Sequence, residues 1–146
     1  MTTTYPRFGF AALACAAALA FASPSLAEIV HLKATASGAQ EVPPNDSKGT
    51  ATVNVTYDTA SQMLTWDGTY ANLSGPATAA HFHKGAPGKN GGIVVPLFAG
   101  PTAKSPFKGS KKITAAEGSD LLAGQLYLNV HTAAHPAGEI RGQLTK

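Results

Sequence analysis

Polar and apolar side chains alternate without a break through Thr52-Val53-Asn54-Val55-Thr56-Tyr57, and this alternation indicates the fold class more firmly than any other segment. Successive side chains on a β-strand point to opposite faces, so a period of two predicts a strand with one buried face. Residues 58–61, Asp-Thr-Ala-Ser, follow as a turn. Beyond the turn, Leu64, Trp66 and Tyr70 keep the same period, which predicts the second strand of an antiparallel hairpin.

Similar segments lie on both sides of this hairpin. Further strands are predicted at residues 29–36, 78–84, 93–98, 126–132 and 139–144. Thr114-Ala115-Ala116-Glu117 has the form of a helix capping box, so one short helix is predicted there, ended by Gly124. Seven or so short strands separated by turns predict an all-β fold, namely an antiparallel Greek-key sandwich or barrel with one short helix.

The first 27 residues are interpreted as an export signal. Arg7 gives a positive charge, residues 8–21 form an apolar run, and Ser25-Leu26-Ala27 places small residues where a signal peptidase reads. Cleavage after Ala27 leaves residues 28–146, enough for a single domain with its own core. The sequence therefore predicts a periplasmic or secreted protein that has no membrane attachment after cleavage.

The charge of the remaining chain is weak and scattered. Without Arg7, ten Lys and Arg residues stand against eight Asp and Glu residues. Only Lys108, Lys111 and Lys112 cluster, and we interpret them as a solvated loop. Because nucleic-acid binding needs a concentrated basic surface, no nucleic-acid partner is predicted. The single cysteine, Cys15, leaves with the signal, which excludes disulfides, thiolate metal ligands and a cysteine nucleophile.

Histidines are the best candidates for chemistry. His81-Phe82-His83 lies in a predicted strand, so the two imidazoles share one face while Phe82 faces the core. His131 lies on the polar face of another predicted strand, where a ligand could be reached. If the two strands are neighbours, the three rings form a pocket that suits a copper ion, with zinc as the alternative. His135, in the turn that follows, is a candidate fourth ligand.

Two charged residues follow this turn. Glu139 and Arg141 share one face of the last predicted strand. Two interpretations are open: a salt bridge between them that closes the sheet, or a contact of Arg141 with a loop carbonyl near the histidines, of the kind that orients metal ligands. No serine lies in a nucleophile-elbow pattern and no acid pair has a suggestive spacing, so a hydrolase is not supported.

Three motifs resemble the CHRD domain, a module named after the chordin repeats and found in many bacterial exported proteins. Residues 39–44, Ala-Gln-Glu-Val-Pro-Pro, are similar to its opening segment, and residues 80–88 to its central motif. Residues 127–132 with 136–144 are similar to its closing motif. Since the motifs bracket nearly all of residues 28–146, this part is identified as a single CHRD domain. The resemblance implies an extracellular or periplasmic β-rich domain and leaves its activity open.

The order of the site residues also resembles copper/zinc superoxide dismutases. Those enzymes use a His-x-His strand and a later histidine, followed by a glycine-rich turn and an arginine; here these are His81, His83, His131, Gly138 and Arg141. The resemblance implies a barrel of the superoxide-dismutase type. The sequence has no obvious bridging histidine or zinc cluster and no cysteine pair, which speaks against dismutation.

Three functions follow from these patterns. The leading hypothesis is an exported module that binds a copper ion through its histidines and sequesters or delivers it. The second is an extracellular protein-interaction module that binds a partner protein without metal. The third is a copper-dependent redox enzyme, and catalysis is the less favoured prediction.

Overall fold

The computed structural model of the chain describes residues 1–2, 27–100 and 104–146. The predicted signal therefore lies almost wholly outside the described residues. The strands are β1 (Ile29–Ser37), β2 (Thr50–Asp58), β3 (Met63–Ala71), β4 (Ala77–Lys84), β5 (Ile93–Ala99), β6 (Phe107–Lys112), β7 (Leu126–Thr132) and β8 (Ile140–Gln143). One α-helix, α1 (Ala115–Leu122), and a short 3-10 turn, Gly38–Gln40, complete the described elements. The all-β prediction with one short helix is confirmed.

The eight strands form one antiparallel sheet in the order β5-β4-β7-β8-β1-β2-β3-β6. The neighbours β4–β7 and β3–β6 are not consecutive in the chain, so the connections cross over as in Greek-key folds. The two edge strands approach each other: Lys111 Nζ donates to the carbonyl of Val94 at 3.1 Å. The rings of Phe98 and Phe107 also meet there at 5.2 Å. The sheet is therefore a nearly closed barrel.

The core lies inside this barrel and follows the alternation of the sequence. On β2, Val53, Val55 and Tyr57 are buried, while Thr52, Asn54 and Thr56 between them are not. Trp66 of β3 packs edge-on against Phe82 of β4, with ring centroids 6.1 Å apart. Burying each large apolar side chain contributes about 1.5–3 kcal/mol, so the alternating positions hold the sheet in its register.

The predicted loop at Lys108, Lys111 and Lys112 is wrong. These residues lie on β6, which pairs with β3 from Phe107 opposite Gly68 to Lys112 opposite Met63. Phe107 is the strand's only buried residue, so the segment lacks the apolar alternation by which strands are recognised. Lysines on an edge strand are nevertheless ordinary, because they prevent pairing with other chains.

The capping box at the start of α1 is confirmed. Thr114 Oγ1 accepts from the backbone N–H of Glu117 at 3.2 Å, and the Glu117 carboxylate accepts from the backbone N–H of Thr114 at 2.7 Å. Gly124, with φ of +70°, follows the end of the helix as predicted. Nowhere in the described part of the chain is a helix long and apolar enough to cross a membrane.

Candidate metal centre

The pairing of β4 with β7 brings three histidines together on the outer face of the sheet. His81 lies opposite Asn129, His83 opposite Tyr127, and His131 opposite Ala79. The ring centroid of His81 is 5.4 Å from that of His83 and 5.0 Å from that of His131. One candidate ligand nitrogen from each ring lies within 4.8 Å of the other two. We call His81, His83 and His131 the histidine cluster.

Hydrogen bonds to backbone carbonyls fix which nitrogens of the cluster carry protons. A carbonyl only accepts, so His83 Nδ1–H donates to Gly91 at 2.9 Å and His131 Nδ1–H donates to Pro136 at 3.1 Å. The Nε2 atoms of both rings therefore carry lone pairs. His131 Nε2 lies 3.1 Å from His81 Nδ1 and accepts a hydrogen bond from the Nδ1–H group.

His83 Nε2 has no such partner. It is buried and has no hydrogen-bond partner among the described residues. An unsatisfied buried polar atom costs about 1–3 kcal/mol, so natural structures rarely keep one without a reason. A ligand bound in the cluster would satisfy this atom.

Burial also keeps the cluster free of added protons. It is the main cause that lowers the pKa of His81 to about 4, and the positive charges that His131 and His83 would carry add to it. Burial likewise lowers the pKa of His83 and of His131, and their bonds to the Gly91 and Pro136 carbonyls oppose this in part. At neutral pH all three rings are neutral, which is the form that binds metal ions.

Arg141 holds the loop that orients His83. Its side chain is 2 % exposed and donates to the carbonyls of Ala86 and Lys89 and to Oδ1 of Asn90 at 2.9–3.1 Å. The guanidinium lies 3.6 Å from the centroid of the Tyr127 ring. Tyr127 in turn stacks on His83 with centroids 5.2 Å apart.

Gly91 is the residue of this loop that touches the cluster directly. Its carbonyl accepts from His83, and its N–H donates to the Tyr127 hydroxyl at 3.2 Å. A Cβ atom at Gly91 would lie 1.7 Å from the carbonyl oxygen of Lys84, so only glycine fits.

The family model for the CHRD domain matches residues 32–144. The match covers most of the chain and includes the whole histidine cluster. The chain belongs to the CHRD domain family. CHRD domains are extracellular modules, in agreement with part of the predicted localisation. No curated protein and no solved structure gives a significant match, so the similarity to superoxide dismutases remains one of residue order.

Glu139 and Arg141 do not pair in this CHRD domain, so the predicted salt bridge is wrong. The one ion pair between described residues joins Lys84 to Asp120, and Glu139 precedes β8 instead of lying on it. Arg141 instead binds loop carbonyls beside the cluster, as the second interpretation expected.

The Glu139 carboxylate joins three segments of the chain through hydrogen bonds. It is fully buried and accepts from the Ser47 hydroxyl, from the N–H and hydroxyl of Ser74, and from the Thr132 hydroxyl. Burial by itself would raise the pKa of Glu139, but these hydrogen bonds outweigh it and lower the pKa to about 2. The network ties two loops to the end of β7, next to His131.

His135 lies outside the histidine cluster, which contains three members within the described residues. It sits in the turn after β7, where its backbone N–H donates to the carbonyl of Thr132 at 3.2 Å. The structure thus brings together three of the four histidines that the sequence proposed as ligands.

The turn at Gly138 packs against the buried pair Glu41 and Asn129. The Glu41 carboxylate accepts a hydrogen bond from Asn129 Nδ2, and burial raises the pKa of Glu41. Gly138 has φ of +138°, and a Cβ atom there would lie 2.6 Å from the Asn129 side chain. Close packing therefore requires glycine at this position of the closing motif.

The cluster is open toward β5. His131 is 9 % exposed because loops cover β7, whose residues are all buried, so the polar face predicted to be reachable is closed there. His81 and His83 keep part of their surface exposed, and on their β5 side they face Pro96 and Ile93. Both of these residues are exposed, so an ion would enter across an apolar flank.

Sequence reasoning missed the role of Tyr127 and of the Gly91 and Pro136 carbonyls. Tyr127, Asn129 and His131 share a face by alternation, so a signal for Tyr127 existed. No sequence signal points to the carbonyl contacts, because every residue type supplies a backbone carbonyl.

Proposed function

We propose that this CHRD protein is exported and binds one copper ion per chain through His81, His83 and His131, in order to sequester the ion or hand it on. The observation that carries the proposal is His83 Nε2, a buried lone pair without a partner beside two other imidazoles. A bound ion supplies the missing partner.

One pair of ligand nitrogens has the spacing that such an ion requires, and the candidate nitrogens of all three rings lie within 4.8 Å of one another. Ligand nitrogens bonded to one metal at about 2.0–2.1 Å lie roughly 3–3.5 Å apart. The separation of 3.1 Å between His81 Nδ1 and His131 Nε2 falls in this range. The proposed ligand atoms are these two and His83 Nε2, and His81 ligates in its other neutral tautomer, with the proton moved from Nδ1 to Nε2.

The donor set supports copper, with zinc as the alternative. Imidazole binds both ions, and nitrogen sites hold divalent copper more tightly than zinc. Three ligands on two rigid strands fix the ion, while the open flank at β5 leaves a route for its exchange. Cys15, the chain's one cysteine, lies outside the described residues and, by the proposed cleavage, outside the mature protein.

Titration with copper against a competing chelator tests this function. The single tryptophan, Trp66, packs on Phe82, which lies between two proposed ligands, so its fluorescence should be quenched up to one equivalent. His135→Ala should give the same curve within about twofold, since His135 lies outside the cluster. Quenching that continues past one equivalent, or no competition with a micromolar chelator, would contradict the proposal. A captured protein partner that is indifferent to chelators would instead favour an interaction module.

The pH dependence of copper affinity gives a second test. Histidines with ordinary pKa values near 6.5 lose metal affinity below that pH, by up to about tenfold per pH unit for each ring. Here the pKa of all three rings is lowered, that of His81 to about 4. We therefore expect copper affinity to begin to fall only at a pH below this ordinary histidine range. Chelator competition at several pH values measures this, and a steep fall starting at pH 6.5 would contradict it.

A further inference from the structure

We propose that the ion carried by this site is monovalent copper, Cu(I), and that the buried charge of Arg141 sets this preference over divalent ions. The inference rests on the proposed function and names its cargo. Arg141 is 2 % exposed and has uncharged hydrogen-bond partners. Its partners are oxygens of Ala86, Lys89 and Asn90, all uncharged, and no carboxylate lies within 4.0 Å of its nitrogens in the described part of the chain. Carbonyl dipoles stabilise the guanidinium but leave its charge uncancelled.

This charge lies close to the metal ligands. The ring of Tyr127 lies between the guanidinium and His83. The guanidinium is 3.6 Å from the Tyr127 ring centroid, and the centroids of Tyr127 and His83 are 5.2 Å apart. A divalent ion is repelled twice as strongly as a monovalent one. At about 10 Å and an effective dielectric constant of about 20, Coulomb's law gives a difference of roughly tenfold in binding.

Glu41 and Glu139 are buried acidic groups in this part of the structure, and neither forms an ion pair with Arg141. The cluster contains no carboxylate within the described residues, and its three imidazoles are neutral donors. Glu41 is the acidic group whose charge acts on Arg141, and its carboxylate is engaged by Asn129. Glu139 accepts only from neutral backbone and hydroxyl donors, so its negative charge also remains, and the Arg141→Met variant measures how far the arginine outweighs it at the metal.

The exposed apolar residues of β5 beside the cluster also favour Cu(I) over a divalent ion. Ile93 is 56 % exposed and Pro96 is exposed, so the two β5 residues that pair with His83 and His81 have no polar side-chain group to hold water on the ion. The cost of placing an ion in weakly polar surroundings rises steeply with its charge. Cu(I) is stable with three nitrogen ligands, whereas a divalent ion would need further ligands from this flank.

The test is the ratio of Cu(I) affinity to Cu(II) affinity, measured anaerobically with chelators selective for each state. Arg141→Met should lower this ratio about tenfold, equivalent to about 59 mV in a one-electron potential. Arg141→Lys keeps the charge and should retain most of the ratio. If Arg141 only holds the loop, both affinities fall together and the ratio stays constant, which would overturn the inference.

A second variant avoids the buried arginine. Ile93→Glu adds a negative charge on the open flank and should also lower the Cu(I) to Cu(II) ratio. Ile29→Glu is the matched control, because Ile29 is 54 % exposed but lies on β1, which pairs with β2 and β8. Equal ratios in the Ile93 and Ile29 variants would count against the inference while leaving the proposed function intact. If the unchanged protein binds neither Cu(I) nor Cu(II), both the proposed function and this inference are contradicted.

Discussion

Replacing His81 and His83 together with alanine is expected to lower copper affinity by at least about a thousandfold, or about 4 kcal/mol of binding free energy. Two of the three proposed ligands are lost, and His131 alone cannot hold the ion against a chelator. The fold should tolerate the change, because both side chains lie on the outer face and neither fills the barrel. Chelator competition on the purified variant measures the loss, and circular dichroism checks the fold.

The matched control removes the two histidines outside the cluster. His31 lies on β1, where its ring contacts Thr56 at 3.2 Å, and His135 lies in the turn after β7. His31→Ala with His135→Ala should leave copper affinity within about twofold. Equal losses in the two double variants would mean that copper binds to histidines in general, and the cluster would then have no special role.

Glu139→Ala should destabilise the fold by about 3–5 kcal/mol. The change removes the charged acceptor of the Ser74 N–H and of the hydroxyls of Ser47, Ser74 and Thr132, of which Thr132 is buried, Ser47 half-buried and Ser74 exposed. Each unsatisfied donor costs about 1–3 kcal/mol, although hydroxyls can turn to other partners, so the costs do not simply add. Urea unfolding monitored through Trp66 gives the free energy of unfolding.

Glu117→Ala is the control for this carboxylate. Glu117 accepts hydrogen bonds from Thr114 in the exposed capping box of α1, so its loss should cost only about 1 kcal/mol. A Glu139 variant no less stable than the Glu117 variant would contradict the role of Glu139 in joining these segments. Copper affinity of the Glu139 variant should fall less than that of the double histidine variant, since Glu139 lies outside the cluster.

Much of the fold was predictable because local patterns carry it. Alternation gave the β2–β3 hairpin and the inward position of Phe82, and the capping box gave the start of α1. β6 was missed because a single buried residue, Phe107, leaves no period to detect. The order of strands in the sheet was not predictable, since it depends on contacts between segments far apart in the chain.

The candidate site was predictable in part for the same reason. Alternation places His81 and His83 on one face, and no sequence pattern fixes the register that sets His131 beside them. The partners of Glu139 lie 65 and 92 residues away at Ser74 and Ser47. These contacts depend on how the nearly closed sheet folds, which no local pattern shows. Arg141 is near Glu139 in the sequence, so a salt bridge between them was one of the two interpretations.

Long-range proton–nitrogen NMR of the histidine rings in the Cu(I)-loaded protein, which is diamagnetic, tests most directly whether the histidine cluster binds the metal. We expect metal-bound shifts at His81 Nδ1, His83 Nε2 and His131 Nε2, with His31 and His135 unchanged. Retained Nδ1 protons on His83 and His131 would support their bonds to Gly91 and Pro136. Metal-bound shifts at His31 or His135, or an unchanged ring among the three, would contradict the histidine cluster as the metal site.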